Sequence, residues 1–233
     1  MRAILFDLDG TLLDLDLEAF LDRYFSALET AAAPLARHTR GTKSVMDSIG
    51  ASVRAMTAPH AGETNEAVFY REFLAHTGID LAEHWPVFGD FYAEVFPTLR
   101  DTARPAKGGR RAVETAMGLG LRVAIATNPI FPRAAIEQRM DWAGVLDLPV
   151  DVVTTYEVME ATKPLPGYYR QVAAMLGVAP AECVMVGDDR SLDMPAADIG
   201  MRTFYVGDDE AAYADGRGDL DDLADALPLM TGS

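Results

Sequence analysis

The stretch Arg2-Ala-Ile-Leu-Phe6, followed at once by Asp7-Leu8-Asp9-Gly10-Thr11, decides the fold. A short apolar run that ends in Asp and Gly is the pattern of a buried strand emptying into a loop. Four later runs resemble it. Residues 121–126 end at Thr127-Asn128-Pro129, residues 182–186 end at Gly187-Asp188-Asp189, residues 202–206 end at Gly207, and residues 151–155 form another apolar segment. Helical stretches lie between them. Ala112, Val113, Ala116, Met117 and Leu119 keep helical spacing ahead of Gly120, and Tyr168, Val172, Met175 and Leu176 do so ahead of Gly177. Strands alternating with helices predict an α/β fold, a parallel sheet with helices on both faces.

Residues 15–105 break the alternation and hold no convincing strand. Leu17, Phe20, Leu21, Tyr24, Phe25 and Leu28 form a helical stripe that stops near Pro34. Val45, Ile49, Val53 and Met56 form a second, and Val68, Phe69, Phe73 and Leu74 a third that ends near Gly78. A fourth runs from Val87 through Phe91 to Phe96, between Pro86 and Pro97. The expected organisation is an α/β core made of residues 1–14 and 106–233, with an all-helical domain of residues 15–105 inserted after the first strand. Most of the aromatic stripes are expected to be helix-on-helix core. The acidic tail from Asp208 to Asp225 is expected to be a solvated surface with one short final helix.

At 233 residues the chain is long enough to bury a core without disulfides or a structural metal. Twenty Lys and Arg stand against thirty-six Asp and Glu, a formal net charge of −16. Such a surface repels nucleic-acid backbones and anionic lipid heads, so neither is expected as a general partner. The single cysteine, Cys183, rules out an intrachain disulfide. With no secretory signal pattern and no apolar run of membrane-spanning length, the expected location is cytoplasmic.

The strand ends carry the chemistry. Asp7 and Asp9 sit at the carboxyl end of the first strand, where ligands of open parallel sheets bind. At spacing i, i+2 their carboxylates are expected to face one pocket. Thr127 and Asn128 offer a hydroxyl, an amide and backbone N–H groups to phosphate oxygens. Lys163, in Ala161-Thr-Lys-Pro164, offers a positive charge, and Pro164 is placed to open the next helix. Asp188, Asp189 and Asp193 crowd the end of another strand, where carboxylates need water or a hard cation such as Mg²⁺. Taken singly, an Asp-x-Asp-Gly turn, a Thr-Asn-Pro turn or a loop lysine is most often only a surface feature.

Taken together, Asp7-Leu-Asp-Gly-Thr11, Thr127-Asn128, Lys163-Pro164 and Gly187-Asp188 with Asp193 resemble, in order and context, the four motifs of the haloacid dehalogenase superfamily. The chain is most similar to its phosphatase-like branch with a helical C1-type cap. That resemblance implies a Rossmann-like core with an inserted helical cap. It also implies Mg²⁺-dependent hydrolysis of a small phosphomonoester through an aspartyl-phosphate. Asp7 would be the nucleophile and Asp9 the general acid and base. Thr127, Asn128 and Lys163 would hold the phosphate. Mg²⁺ would be held by the Asp7 carboxylate, the Asp9 main-chain carbonyl and Asp188, with Asp193 behind it and Asp189 as the alternative for that place. Asp9 argues against carbon–halogen chemistry, because the dehalogenating branch uses no acid there. A phosphomutase using the same aspartyl-phosphate, and a non-catalytic binding module on the same fold, are the alternatives. The substrate would be a small phosphorylated metabolite. Arg23, Tyr24, Lys43, Arg54, Arg71 and Phe20 are cap residues within which no substrate contact can be chosen from sequence. His38, His60, His76 and His84 show no metal-ligand spacing.

Overall fold

Strand β1 (Ala3–Phe6) is wholly buried at every residue, as a strand covered on both faces must be. In the computed structural model, which describes residues 1–231 apart from 42, 61 and 211, it lies at the centre of the protein. After it come β2 (Leu13–Leu15), α1 (Leu17–Ala32), α2 (Val45–Thr57), α3 (Asn65–Thr77), α4 (Leu81–Asp90) and β3 (Ala103–Pro105). The chain continues through α5 (Gly109–Gly118), β4 (Arg122–Ile125), α6 (Arg133–Trp142), β5 (Val152–Val153) and α7 (Pro166–Met175). It ends with β6 (Cys183–Gly187), β7 (Arg202–Tyr205), β8 (Gly216–Arg217) and α8 (Leu220–Thr231).

Six strands form one sheet in the order β5-β4-β1-β6-β7-β8, and every neighbouring pair is parallel. The period of two along each strand divides the core into two layers. Ile4, Phe6, Val123, Ile125, Val184 and Val186 pack with side chains of α5, α6 and α8. Ala3, Leu5, Ala124, Cys183 and Met185 pack with Tyr168, Tyr169 and Val172 of α7. Helices therefore cover both faces, as the alternation of elements predicts.

Helices fill most of residues 17–102. Each of α1 to α4 opens on a side-chain cap: Asp16, Ser44, Thr64 and Asp80 each accept a hydrogen bond from a first-turn backbone N–H. Helix α3 stops at Gly78, whose φ of 72° closes the end in the left-handed region. Phe20, Tyr24, Phe91, Tyr92 and Phe96 pack ring against ring, and the cluster extends to Trp142 of α6 and to Phe131. The N-terminus of α3 is seated on loops beyond the sheet. The Asn65 side chain donates to the carbonyls of Pro129 at 3.1 Å and Ala161 at 3.3 Å, and the Asn65 and Glu66 amides donate to Met159 and Tyr156.

Four details differ from the sequence expectation. Residues 103–105 are a strand: β3 pairs antiparallel with β2, Leu13 opposite Pro105 and Leu15 opposite Ala103. Three residues are too few to show an alternation. The fourth helix begins at Leu81, with Pro86 inside it, and continues through a π turn and a 3₁₀ turn to Thr102. The φ of proline suits a helix, so its cost there is the missing bond to the previous turn, and the Asp80 cap sets the start. Pro164 precedes α7 rather than opening it; Pro166 stands at the first helical position. The acidic tail also carries more structure than expected. It adds β8 to the sheet edge, and α8 buries Leu220, Leu223, Ala224 and Leu227 against the core. Residue 211 of that region, and residues 232 and 233 beyond it, lie outside the described residues. No helix among the described residues is long and apolar enough to cross a membrane.

A solvated tail helix and a core helix respond differently to truncation. Leu223 is fully buried, so Leu223→Ala is expected to lower unfolding free energy by about 2–5 kcal/mol in urea titration. A loss within about 0.5 kcal/mol, the range of surface substitutions, would mean that α8 is not part of the core.

Candidate active site

Three adjacent strands deliver the site. Phe6 lies level with Ile125 on one side and Val186 on the other, so the chain leaves β4, β1 and β6 at one rim. Asp7 follows there, its amide donating to the Val186 carbonyl at 2.9 Å. Thr127 and Asn128 follow β4, and Asp188 follows β6. Lys163 arrives on the loop between β5 and α7. Its ammonium donates to Asp7 Oδ1 and to Asp193 Oδ1, each at 2.6 Å, with its side chain almost wholly buried. The Lys163 amide donates to Asn128 Oδ1 at 3.2 Å, tying two of the motif loops together. The Thr127 carbonyl is held by the hydroxyls of Thr154 at 2.7 Å and Tyr168 at 2.9 Å.

Space is tight enough to dictate two glycines. Gly10 has a φ of 87°, and a Cβ on it would run into the Asp188 carboxylate. A Cβ on Gly187 would collide with the Asp193 carboxylate. Thr11 fixes Asp188 by donating its hydroxyl to Oδ1 at 2.9 Å, and the Asp189 amide fixes Asp193 through Oδ2 at 3.0 Å.

Asp7, Asp188 and Asp193 each present a carboxylate oxygen, all within 4.8 Å of one another. Such hard donors suit Mg²⁺. Their electrostatics fit a divalent cation as well. Burial and the Asp7 charge push the Asp188 carboxyl up to about 6. Burial also raises Asp193, with Asp7 adding to the effect and Lys163 opposing it. Burial disfavours the Lys163 charge, but Asp193 and Asp7 together hold its pKa well above the ordinary lysine value. One lysine thus serves a group of crowded carboxylates. Asp189 is turned elsewhere: its Oδ1 accepts from Ser191 N at 2.7 Å, Ser191 Oγ at 2.6 Å and Leu192 N at 3.1 Å, closing its own turn. Of the two acids considered for the place beside the metal, the structure brings Asp193 to the cluster.

Asp9 departs from the strand-alternation argument. Strand β1 ends at Phe6, so Asp7 and Asp9 both lie in the turn beyond it, and their carboxylates meet different cations. Asp9 Oδ2 accepts from Arg139 Nη1, while Asp9 Oδ1 is buried without a partner. Burial raises the Asp9 pKa, and Arg139 opposes the shift. Arg139 is 2% exposed. Its guanidinium lies 4.5 Å from the centre of the Phe131 ring, and its Nη2 has no partner. This residue was missed in the sequence. Its signal is a charge on the apolar face of α6, in line with Ala135, Ile136 and Met140. Among the cap candidates, Arg23 pairs with Asp101 and Arg71 with Glu63 and Glu72 at the surface. Phe20 and Tyr24 are buried in the aromatic cluster.

A family model described as haloacid dehalogenase-like hydrolase matches residues 1–198, and the chain belongs to that family. It is 30% identical to a phosphoglycolate phosphatase of Pseudomonas putida over 209 residues, covering 84% of this chain and 65% of that protein. It is 34% identical to a phosphatase of Mycobacterium tuberculosis over 97 residues, 42% of this chain and 44% of the other. The chain therefore spans less than two thirds of these curated relatives. The fold matches the crystal structure of a phosphatase of this family from Thermococcus onnurineus, with a TM-score of 0.60, 22% identity, and 97% and 98% of the two chains covered.

Two expectations follow from the geometry. A carboxyl raised in the folded state stabilises the fold when protonated; for Asp188 that contribution is complete below about pH 4 and lost as pH rises through about 6. Divalent-cation binding has the opposite sign, because its ligands must be ionised. Mg²⁺ is therefore expected to raise the Tm at pH 7.5 and to have little effect at pH 4.5, and Asp188→Asn to abolish the increment at pH 7.5. The second concerns Arg139, whose removal leaves Asp9 without its cation. Arg139→Met is expected to cost about 3–5 kcal/mol in denaturant unfolding, with partial recovery in the Asp9→Asn/Arg139→Met double variant.

Proposed function

We propose that this haloacid dehalogenase-like hydrolase is a Mg²⁺-dependent phosphatase that cleaves small phosphomonoesters through an aspartyl-phosphate on Asp7. The observation that carries it is the buried ammonium of Lys163, 2.6 Å from Asp7 Oδ1 at the rim of the sheet, with Asp9 two residues further on. The relatives named as phosphatases support the same chemistry.

The steps follow from the residues. A carboxylate oxygen of Asp7 attacks phosphorus, forming an Asp–O–P bond as the bond to the ester oxygen breaks. The departing alkoxide takes a proton from the Asp9 carboxyl, whose raised pKa suits it to carry one. Asp9 then removes a proton from a water, whose oxygen attacks the same phosphorus and releases Asp7 and inorganic phosphate. Lys163, the Thr127 hydroxyl and the Asn128 amide hold the phosphoryl oxygens through both steps. The carboxylates of Asp7 and Asp188 and the main-chain carbonyl of Asp9, with Asp193 behind them, would hold Mg²⁺, whose positive charge would let an anionic nucleophile meet an anionic phosphate.

In this reading residues 15–105 are a cap and residues 1–14 and 106–233 the catalytic core. The paired strands β2 and β3, where the chain leaves the core and returns, support it. Seating of Asn65 on the Pro129 and Ala161 carbonyls fits a closed cap. Closure removes water from a charged site and shapes the space for the alcohol.

Phosphate release from p-nitrophenyl phosphate and from an alkyl phosphate tests the proposal. Asp7→Asn and excess chelator are each expected to abolish release, and full activity in either would sink the mechanism. Asp9→Asn is expected to lower kcat on the alkyl ester by about 10²–10⁴-fold. The first-turnover burst of p-nitrophenol should be slowed much less, because that leaving group departs without a proton, whereas the water step that follows still lacks its base.

A further inference from the structure

Between the helical residues and the sheet lies a cavity of about 60 Å³. Its floor is Ile130 and Pro132, on the loop that carries Thr127 and Asn128; the Ile130 amide donates to the Asn128 carbonyl at 2.9 Å. Phe131, between those two floor residues, packs its ring on the guanidinium of Arg139, the partner of Asp9. The cavity thus shares its floor with the loop beside the reacting groups.

Twelve residues line the cavity, and among them there is no Lys, Arg, His, Asp or Glu. Leu28, Ile49, Val53 and Leu81 supply aliphatic wall, and Trp85 and Phe88 aromatic wall. The tyrosine hydroxyls of the lining each have a tyrosine partner. The hydroxyls of Tyr24 and Tyr92 hydrogen-bond each other at 3.1 Å, and that of Tyr156 pairs with Tyr70. Burial pushes the Tyr24 hydroxyl up to about 12. Arg23 and Arg71 are held by surface acids and do not line it.

We infer that this cavity receives the alcohol part of the substrate and selects phosphomonoesters of short apolar alcohols over those of hydroxy acids and polyols. The inference rests on the phosphatase reading and narrows it. A carboxylate in this cavity would lose its hydration and meet no cation, and a polyol would bring more hydroxyls than the few polar atoms of the lining can match. An alkyl end loses only its contact with water and gains the wall. An apolar cavity of about 150 Å³ holds a benzene ring, so 60 Å³ corresponds to roughly two or three carbons. The chain's resemblance to proteins named phosphoglycolate phosphatases therefore does not carry their carboxylate-bearing substrate over to it.

The test compares ligands that differ in one group. In calorimetry with Mg²⁺ present, 3-methylbutylphosphonate is expected to bind at least about tenfold more tightly than 3-phosphonopropionate, which has a carboxylate in place of the isopropyl group. In turnover, kcat/KM for n-alkyl phosphates is expected to rise about fourfold per methylene that enters the cavity and then level off. Leu81→Ala should move that plateau to a longer chain. Phosphoglycolate and glycerol phosphate should trail the best alkyl ester by at least about tenfold. Equal or tighter binding of 3-phosphonopropionate overturns the inference, as does binding of neither phosphonate or a flat alkyl series. If no ester, p-nitrophenyl phosphate included, releases phosphate, the phosphatase reading fails. The two phosphonates still decide what the cavity accepts.

Discussion

The ammonium of Lys163 lies 2.6 Å from a carboxylate oxygen of Asp7 and 2.6 Å from one of Asp193, with all three side chains withdrawn from solvent. Burying ions is expensive unless each finds a partner and its remaining donors and acceptors are satisfied. The surrounding structure can be understood as meeting that condition. Asn128 takes the Lys163 amide, the Asp189 amide takes the second oxygen of Asp193, and Thr11 takes Asp188. Burial raises Asp188 and Asp193, and the neighbouring Asp7 charge adds to it because positive charge still falls short of negative. A site in that state is poised to take up cation charge at neutral pH, and an isolated lysine cannot supply all of it.

The sheet makes this arrangement affordable in space. Parallel strands end their chains at one rim, and the central position of β1 places Asp7 between the ends of β4 and β6. Gly10 and Gly187 let the backbone approach until two carboxylates occupy the volume that side chains would take. Asp9 is separated from this group by its own cation. Arg139 holds one of its oxygens, so two neighbouring acids meet different cations, a difference the proposed mechanism uses. A guanidinium is well suited to the task because it stays charged when buried and sits over the Phe131 ring.

Much of the core was legible because its signals are local. An apolar run followed by Asp or Gly marks β1 and β6, and left-handed glycines end α3 and precede β4. The four chemical motifs were legible because each sits at a strand end or in its loop. What escaped depends on partners distant in sequence. Strands β2 and β3 are three residues each and exist only because residues 13–15 and 103–105 meet. Helix α8 looks acidic along its exposed side and shows its role only against α5. Arg139 stands 130 residues from Asp9, and its place on an apolar helix face acquires meaning only when the turn after β1 meets it. Strand alternation failed for Asp7 and Asp9 because the strand had already ended.

Charge also explains how a protein with a formal net charge of −16 could receive the anion of the proposed reaction. Most of its acids are solvated or tied to surface arginines, as Asp147 is to Arg110 and Asp101 to Arg23. Their field disfavours extended polyanions without deciding what happens in a closed pocket. At the rim, in the proposed reaction, local cations would set the outcome for a phosphate. A few residues away, the uncharged cavity over Ile130 and Pro132 sets a different condition for whatever the phosphate is attached to. Phe131 joins the two environments, with the Arg139 guanidinium on its ring and Tyr24 packed against it at 5.4 Å. A substrate that satisfies both must carry its charge at one end only. The two conditions are imposed by different parts of the chain, the first by the strand-end motifs and the second largely by helices that those motifs do not include. Kinship in the motifs can therefore preserve the reaction while leaving the choice of alcohol free to differ.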